Sequence, residues 1–212
     1  MIKVRRGMDL PIAGTPEQTI YDGPAVSQVA LIGSDYHGMK PTMAVRQGDV
    51  VKKGQLLFTD KKNDSAKYVA PAPGTVAAIN RGERRVFQSL VIDVEGHESK
   101  TFAAYKSEQL QELDRQLVTD QLVESGQWVA FRTRPFSKVP SAGSVASSIF
   151  VTAMDTNPLA ADPTVIIGQR EGDFANGLKV LSRLTDGPVN VCAAPDVSIP
   201  GEEVEGVREI NF

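Results

Sequence analysis

The 212-residue chain has 23 basic and 26 acidic side chains and a net charge of -3, which argues against nucleic acid as a partner. Its single cysteine, Cys192, excludes an intramolecular disulfide and an iron–sulfur cluster held by this chain alone, because such clusters need about four thiolates. The two histidines, His37 and His97, are far apart and no run approaches the roughly 20 apolar residues of a membrane span, so we expect no metal site and no transmembrane helix.

Roughly the first hundred residues alternate short apolar runs with glycine- and proline-rich turns, which predicts a small all-β sandwich or barrel. Residues 42–57 are loosely echoed by residues 75–90, which share a threonine, apolar positions, a glycine–acid turn and a glutamine. This echo indicates two similar hairpins. The predicted strands cover residues 29–32, 50–51, 56–58, 68–70, 76–79 and 90–94.

The pattern then becomes helical, so we divide the chain into a β-rich domain, residues 1–104, and an α/β domain, residues 105–212. The first two predicted helices cover residues 107–113 and 119–125. Thr119 is the expected N-cap of the second helix and Gly126 its stop.

Strands alternate with helices over the rest of the chain, which implies a parallel sheet. Asp162 and Pro163 should open one helix, with the aspartate as cap and the proline in the first turn. Few strands are visible, so we expect an incomplete Rossmann-like domain. The other predicted elements are a buried strand at 148–154, a helix at 171–184 and strands at 189–192 and 207–210.

The β-rich region resembles the biotinyl/lipoyl-like barrel-sandwich hybrid fold. The residues that carry this resemblance are Val45, Gly48-Asp49, Val51, Gly54-Gln55 and Leu57, followed by Ala70-Pro71, Gly74 and Val76. Carrier domains of that fold present a modified lysine at a hairpin tip. Lys61 and Lys62 occupy the corresponding stretch without the usual flanking residues, so a solvated loop is favoured over a covalent carrier.

The chain as a whole resembles the A subunit of the Na+-translocating NADH:quinone reductase, the NQR complex. Members of that family continue well past residue 212, so the resemblance implies the N-terminal part of a longer protein. The strings that carry it are residues 7–16, 38–41, 60–63, 130–140 and 153–163.

This resemblance implies a peripheral protein on the cytoplasmic face of the bacterial inner membrane. The other subunits of the six-subunit complex would be its partners, and ubiquinone the substrate of the complex. Flavins and iron–sulfur centres would lie in those other subunits. We therefore expect this chain to bind no cofactor covalently or tightly, and to lack catalytic activity alone.

The α/β half is also similar to the subunit of respiratory complex I that binds FMN and NADH. The glycine-rich FMN loop of that subunit corresponds to residues 124–136, where only Gly126 remains among bulky residues. A loop that cradles phosphate needs glycines, because backbone N–H groups must approach the anion closely. The sequence therefore argues against flavin and dinucleotide binding.

A quinone head is a flat ring with two carbonyl acceptors, so its site needs apolar faces and a few donors. Residues 131–138 supply both, and the family associates them with the quinone. The candidates are Phe131 and Phe136 for the ring face and Arg132, Arg134 and Lys138 as donors. The alternative is a basic surface loop whose phenylalanines pack inward.

Residues 32–39 form the second candidate segment, which the family also associates with the quinone. His37 could supply a proton, and Met39 can adapt to apolar surfaces. The alternative is a simple strand–turn connection. The candidates here are Ile32, Gly33, Tyr36, His37, Gly38 and Met39.

Two further groups have structural explanations that we favour. Asp155, Asn157 and Asp162 follow a predicted strand and suit turn and cap positions better than a ligand site. Cys192 lies in an apolar strand and is expected to be a buried structural thiol.

The sequence leaves three alternatives to a quinone-binding subunit. One is a structural docking subunit of the same complex with no quinone contact. Another is a covalent carrier that uses Lys61 or Lys62. A flavin-dependent NADH dehydrogenase comes last.

Overall fold

The computed structural model describes residues 11–195 and 197–211, which fold into two compact units that interleave along the chain. The first, which we call the β unit, consists of Gly23–Ala104 and Thr119–Ser144. The second, the α/β unit, consists of residues 11–22, 105–118, 145–195 and 197–211. The sequence analysis placed one boundary after residue 104, whereas residues 119–144 pack with the β-rich region.

Among the described residues, the β unit has seven strands in two antiparallel sheets, one ordered β1-β7-β6-β3 and the other β2-β4-β5. The six predicted strands are confirmed. The additional one, β2, is three residues long and has no apolar run to reveal it. The strands are β1 (Gln28–Ile32), β2 (Pro41–Met43), β3 (Val50–Val51), β4 (Leu56–Asp60), β5 (Asn63–Val69), β6 (Gly74–Arg81) and β7 (Phe87–Val94).

The core of the β unit forms because alternate side chains of each strand point to the same face. In β5, Ala66 and Tyr68 are buried, while Lys67 between them is only partly covered. The largest fully buried side chains include Phe58 and Leu90. Burial of a side chain of this size stabilises the fold by about 1.5–3 kcal/mol.

Gly74 shows why the turn before β6 needs glycine. Its φ is +150°, and a Cβ at this position would lie 1.9 Å from the carbonyl oxygen of Asp93. Any side chain would therefore collide with the backbone of β7. The glycine in the barrel-sandwich pattern thus has a steric cause.

The sequence echo does not correspond to two hairpins. β6 and β7 do pair as a hairpin, but β2 pairs with β4 and β3 with β6. The glycine–acid turn of the first copy connects the two sheets, and Asp49 Oδ2 closes it by accepting from Arg46 N at 2.7 Å. The hairpin prediction was wrong because the same turn motif can join strands of different sheets.

The α/β unit contains a three-stranded parallel sheet in the order β10-β9-β8, as the sequence predicted. Asp162 caps the first helix after β8 by accepting from Thr164 N at 2.9 Å, which confirms the predicted cap. Leu178 packs with the strands in the core of this unit. The elements are β8 (Ile149–Thr152), α2 (Pro163–Gln169), α3 (Glu171–Ser182), β9 (Val189–Ala193) and β10 (Val207–Asn211).

Two local predictions are corrected. Helix α1 (Arg115–Glu124) begins before Thr119, and Asp114 Oδ1 caps it by accepting from the backbone nitrogen of Gln116 at 2.8 Å. Thr119 lies inside the helix and is 4% exposed, so it is not the cap. The sequence analysis missed the true start of the helix because residues 114–116 are all polar. Ser107–Glu112, predicted helical, forms a 3₁₀ helix.

Strand β8 was predicted to be buried, but it is an edge strand of its sheet. Its burial alternates, and Phe150 is 63% exposed. The prediction was wrong because a short apolar run does not distinguish a central strand from an edge strand covered on one face.

Candidate functional site

Residues 32–39 leave strand β1 through a 3₁₀ turn that has to begin with glycine. A Cβ on Gly33 would lie 2.2 Å from the carbonyl oxygen of Phe87. Two side chains of the segment, Tyr36 and Met39, pack against the core of the β unit. The other predicted site residues with side chains or backbone at the surface are Ile32, His37 and Gly38.

Residues 131–138 form a closed loop of the β unit. The backbone nitrogen of Thr133 donates to the carbonyl oxygen of Lys138 at 2.8 Å, and Ser137 N donates to Thr133 O at 2.8 Å. Phe131 packs edge to face on Trp128, with ring centroids 5.1 Å apart. The solvent-exposed candidates of this loop are Arg132, Arg134, Phe136 and Lys138.

The two phenylalanines of this loop have different environments. Phe131 is half-buried against Trp128, which agrees with the inward-packing alternative. Phe136 is 73% exposed. Phe136 therefore offers an open apolar surface, whereas Phe131 mainly supports the loop.

The structure brings the two segments together in one unit. Tyr36 of the first segment and Arg132 of the second are close enough for the guanidinium charge to favour ionisation of the phenol. The same charge acts on Tyr68 of strand β5. The rings of Tyr36 and Tyr68 pack edge to face with centroids 4.5 Å apart. We call Tyr36, Tyr68 and Arg132 the tyrosine–arginine cluster.

Tyr68 was not identified from the sequence. Its ring is 2% exposed and stacks on Phe58 with centroids 4.7 Å apart. Phe58 in turn contacts Phe87 edge to face at 5.1 Å. The sequence offered one signal for Tyr68, a tyrosine at an inward-facing position of a strand. A buried phenol needs a polar environment around its hydroxyl, so a tyrosine there indicates polar groups nearby.

Burial shifts the titration of both tyrosines. It raises the pKa of Tyr68 to about 12, the negative charge of Asp60 adds to that increase, and Arg132 opposes it. Burial also raises the pKa of Tyr36, with Asp35 acting in the same direction and Arg132 against it. Both phenols are therefore neutral at physiological pH and can donate hydrogen bonds to a carbonyl acceptor.

The β4–β5 hairpin contains the two lysines considered as carrier sites. Lys62 Nζ donates to the carbonyl oxygen of Gly38 at 3.0 Å, so this side chain is folded onto the first segment. Asp60 Oδ1 accepts from the backbone nitrogens of Lys40 and Lys62, each at 3.1 Å. Lys61 is exposed.

The candidates in the α/β unit have local structural roles. Asp155 Oδ1 accepts from the backbone nitrogen of Asn157 at 2.9 Å and from its Nδ2 at 2.7 Å, which is turn chemistry. Asp162 caps α2, and its hydrogen bond to Thr164 lowers the pKa of the carboxyl group. Cys192 is half-buried, and burial raises the pKa of its thiol.

Within the described ranges, His, Cys, Asp and Glu side chains form no group of three or more that could hold a metal ion. An open groove of about 290 Å³ in the β unit contains none of the predicted site residues. It is lined by Lys52, Gln55, Ser99, Lys100 and Thr101.

Two protein-family models match the chain. The NqrA N-terminal barrel-sandwich hybrid domain matches residues 2–95, and the NqrA second alpha/beta domain matches residues 113–212. The chain belongs to the NqrA family. These matches confirm the predicted fold class, a barrel-sandwich hybrid followed by an α/β domain.

Members of the NqrA family from several organisms are similar over nearly the whole chain. The protein of Saccharophagus degradans is 62% identical over 100% of this chain and 47% of its own length. That of Teredinibacter turnerae is 61% identical over 96% of this chain and 46% of its own length. That of Haemophilus influenzae is 58% identical over 100% of this chain and 48% of its own length.

Each of these relatives is named as the A subunit of a Na(+)-translocating NADH-quinone reductase, which is an oxidoreductase. The chain spans about half the length of the NqrA relatives that it matches. In the described part of the chain, each helix is too short or too polar to cross a lipid bilayer.

Proposed function

We propose that this chain is part of a peripheral quinone-binding subunit of a membrane complex that couples NADH oxidation and ubiquinone reduction to Na+ export. Membership of the NqrA family supports the assignment to such a complex. The observation that carries the quinone contact is the tyrosine–arginine cluster. It joins residues 32–39 and 131–138, which are far apart in sequence, in one folded unit.

The chemistry of the cluster suits a quinone head. Tyr36 combines a ring with a neutral hydroxyl donor, and it is half-buried. Arg132 adds a positive charge that would favour a reduced, anionic quinone. Its Nη1 donates to the carbonyl oxygens of Val129 and Phe131, which holds the guanidinium close to the loop. The exposed ring of Phe136 offers additional apolar surface.

In this proposal the chain binds and orients the quinone and holds no redox centre. Electrons would arrive from cofactors of the other subunits, which would be its partners at the cytoplasmic face of the membrane. The residues of the chain then act through shape, hydrogen-bond donors and charge, and they affect quinone binding more than the earlier electron transfers.

Replacement of Tyr36 by phenylalanine in the assembled complex tests the quinone contact. Tyr36→Phe keeps the ring but removes the donor, so the KM for quinone should rise by roughly three- to tenfold, the loss of about one hydrogen bond. NADH oxidation with an artificial acceptor should not change. Tyr21→Phe is the matched control, because Tyr21 is 69% exposed in the other unit and donates to Glu17. An unchanged KM in Tyr36→Phe would contradict the proposal.

A structural docking subunit is the second candidate. The exposed Phe136 is flanked by Arg134 and Lys138, and aromatic and arginine side chains are enriched at protein interfaces. Phe136→Ala separates the two candidates. Docking predicts that the complex assembles poorly and that both activities fall together, whereas quinone binding predicts an assembled complex with weakened quinone reduction only.

A further inference from the structure

The tip of the β4–β5 hairpin, residues 60–65, hydrogen-bonds to Gly38 of the first candidate segment and to residues 139–142, which directly follow the second. In carrier domains of the resembling fold, this part of the hairpin presents a modified lysine to solvent. In this chain the side chains of Lys62, Asn63 and Ser65 hydrogen-bond to neighbouring loops instead.

On one side the tip binds the chain that directly follows the loop with Arg132. Asn63 Nδ2 donates to the carbonyl oxygens of Val139 at 3.1 Å and Pro140 at 3.2 Å. Ser65 Oγ accepts from the backbone nitrogen of Ala142 at 3.0 Å. These bonds fix the chain immediately after residues 131–138 and are formed by partners 76 or 77 residues apart.

On the other side the tip holds the segment that carries Tyr36. Lys62 Nζ donates to the carbonyl oxygen of Gly38 at 3.0 Å, and Lys61 N donates to Lys40 O at 2.8 Å. Asp60 accepts from the backbone nitrogen of Lys40 at 3.1 Å. The end of residues 32–39 is thus bound to the same hairpin tip.

Trp128 adds a second anchor to the loop. Its Nε1 donates to Pro140 O at 2.9 Å, so Asn63 and Trp128 converge on one carbonyl oxygen. Trp128 is 5% exposed and Asn63 is half-buried. Trp128 is shielded from water and Asn63 is partly shielded. If either donor is lost, water replaces it poorly, and the Pro140 carbonyl oxygen keeps only the other donor.

We propose that residues 60–65 act as a clamp that sets the distance between Tyr36 and Arg132, with Asn63 as the principal positioning residue. This inference rests on the proposed quinone contact. The clamp joins the end of residues 32–39 and the chain that directly follows residues 131–138 to one hairpin. A binding site that must keep its geometry within about 0.5 Å needs such supporting bonds. Asn63 itself is not required to touch the quinone.

The test uses Asn63→Asp in the full-length protein, alone and in its complex. Asn63 Oδ1 also accepts from Ser65 N at 3.1 Å, and aspartate keeps that acceptor while it removes the donor. Hydrogen–deuterium exchange should show faster exchange at Thr133 and Ser137. The KM for quinone should rise by about tenfold with little change in NADH oxidation by an artificial acceptor.

Two further variants keep the test decisive. Asn63→Ala removes the donor without adding a charge, and it should reproduce both effects. Asn80→Ala is the matched control, because Asn80 Nδ2 donates to Ser89 Oγ on another sheet of the same unit. The control should change neither the exchange of the loop nor the KM for quinone.

The outcomes separate the clamp from the proposed function. Unchanged exchange at Thr133 and Ser137 in both Asn63 variants would overturn the clamp while leaving the quinone contact of Tyr36 to its own test. Faster exchange with an unchanged KM would overturn the positioning role and would also count against quinone binding by this loop. Faster exchange with a raised KM supports the clamp.

Discussion

At the scale of single residues, Tyr68 shows how burial determines a protonation state. Its phenol lies among aromatic rings with Asp60 and Arg132 near enough to act on it by charge. The pKa is about 12, which means that burial and the aspartate outweigh the arginine. The folded protein disfavours the ionised phenolate, so Tyr68 is neutral in the fold.

This predicts a specific loss of stability in alkali. Because the folded pKa lies above the unfolded value of 10.0, stability is unaffected below pH 10 and falls as pH rises through the folded pKa. Relative to Tyr68→Phe, the protein should lose about 1.4 kcal/mol of unfolding free energy between about pH 8 and about pH 11. Urea unfolding followed by the fluorescence of Trp128, the only tryptophan, measures this difference.

Tyr21→Phe is the control for that experiment, since Tyr21 is largely exposed. It should lose stability in alkali to the same extent as the unmodified chain. If Tyr68→Phe and the unmodified chain had parallel pH profiles, the environment described for Tyr68 would be contradicted.

At the scale of elements, the end of α1 is fixed to strand β5 by two kinds of contact. Glu124 accepts from Lys100 Nζ and, at 2.6 Å, from Lys67 Nζ, and these two bonds lower the pKa of its carboxyl group to about 2. Its side chain is 48% exposed, so these ion pairs contribute only about 1 kcal/mol or less. Gly126 is the stronger constraint, because any side chain at this position would overlap Val69 of β5.

Replacement of Gly126 by alanine should destabilise the β unit. Gly126 has φ +74°, and a Cβ would lie 2.7 Å from Val69 Cγ2 and 2.9 Å from Val69 Cγ1. Left-handed strain and this overlap together should cost about 2–3 kcal/mol in unfolding free energy. Chemical denaturation followed by Trp128 fluorescence is the measurement, since Trp128 lies two residues further along in the same unit.

Gly143→Ala is the matched control, because a Cβ at Gly143 meets nothing within 4 Å. It should change the unfolding free energy by less than about 0.5 kcal/mol. Equal effects of the two substitutions would contradict the steric account. That account also explains why residue 126 is glycine without any reference to a phosphate-binding loop.

At the scale of the whole molecule, the two units are built from interleaved parts of the chain. Residues 119–144 leave the region expected to be α/β and supply the loop that carries Arg132 to the unit that carries Tyr36. The domain boundary drawn from the sequence, after residue 104, puts Tyr36 and Arg132 in different domains. The arrangement places the candidate quinone contacts on a β scaffold that resembles a carrier domain but uses its hairpin as a support.

If the protein holds no redox centre, as proposed, the purified full-length protein should carry no prosthetic group. Its intact mass should equal that of the unmodified polypeptide, and its visible spectrum should lack flavin absorption. Lys61→Arg and Lys62→Arg variants should have masses that differ from it only by the substitution. A stoichiometric adduct lost in one of these variants would establish a covalent carrier instead.

Much of the local structure could be predicted from the sequence. The short apolar strands between turns in the β unit, the Asp162 cap and the alternation of strands and helices that gives a parallel sheet are all confirmed. They depend on neighbouring residues, whose side-chain spacing and backbone preferences are encoded locally. The family was recognised for the same reason, since long local strings carry it.

The composition of the candidate site depends on contacts between residues that are distant in sequence. The sequence indicated residues 32–39 and 131–138 but neither Tyr68 nor Asn63, and it paired Phe131 with Phe136 although only Phe136 is exposed. Which of these side chains meet depends on sheet pairing and on where residues 119–144 pack. Such contacts join residues some 76 positions apart, so they follow from the packing of the whole β unit and leave no local pattern in the sequence.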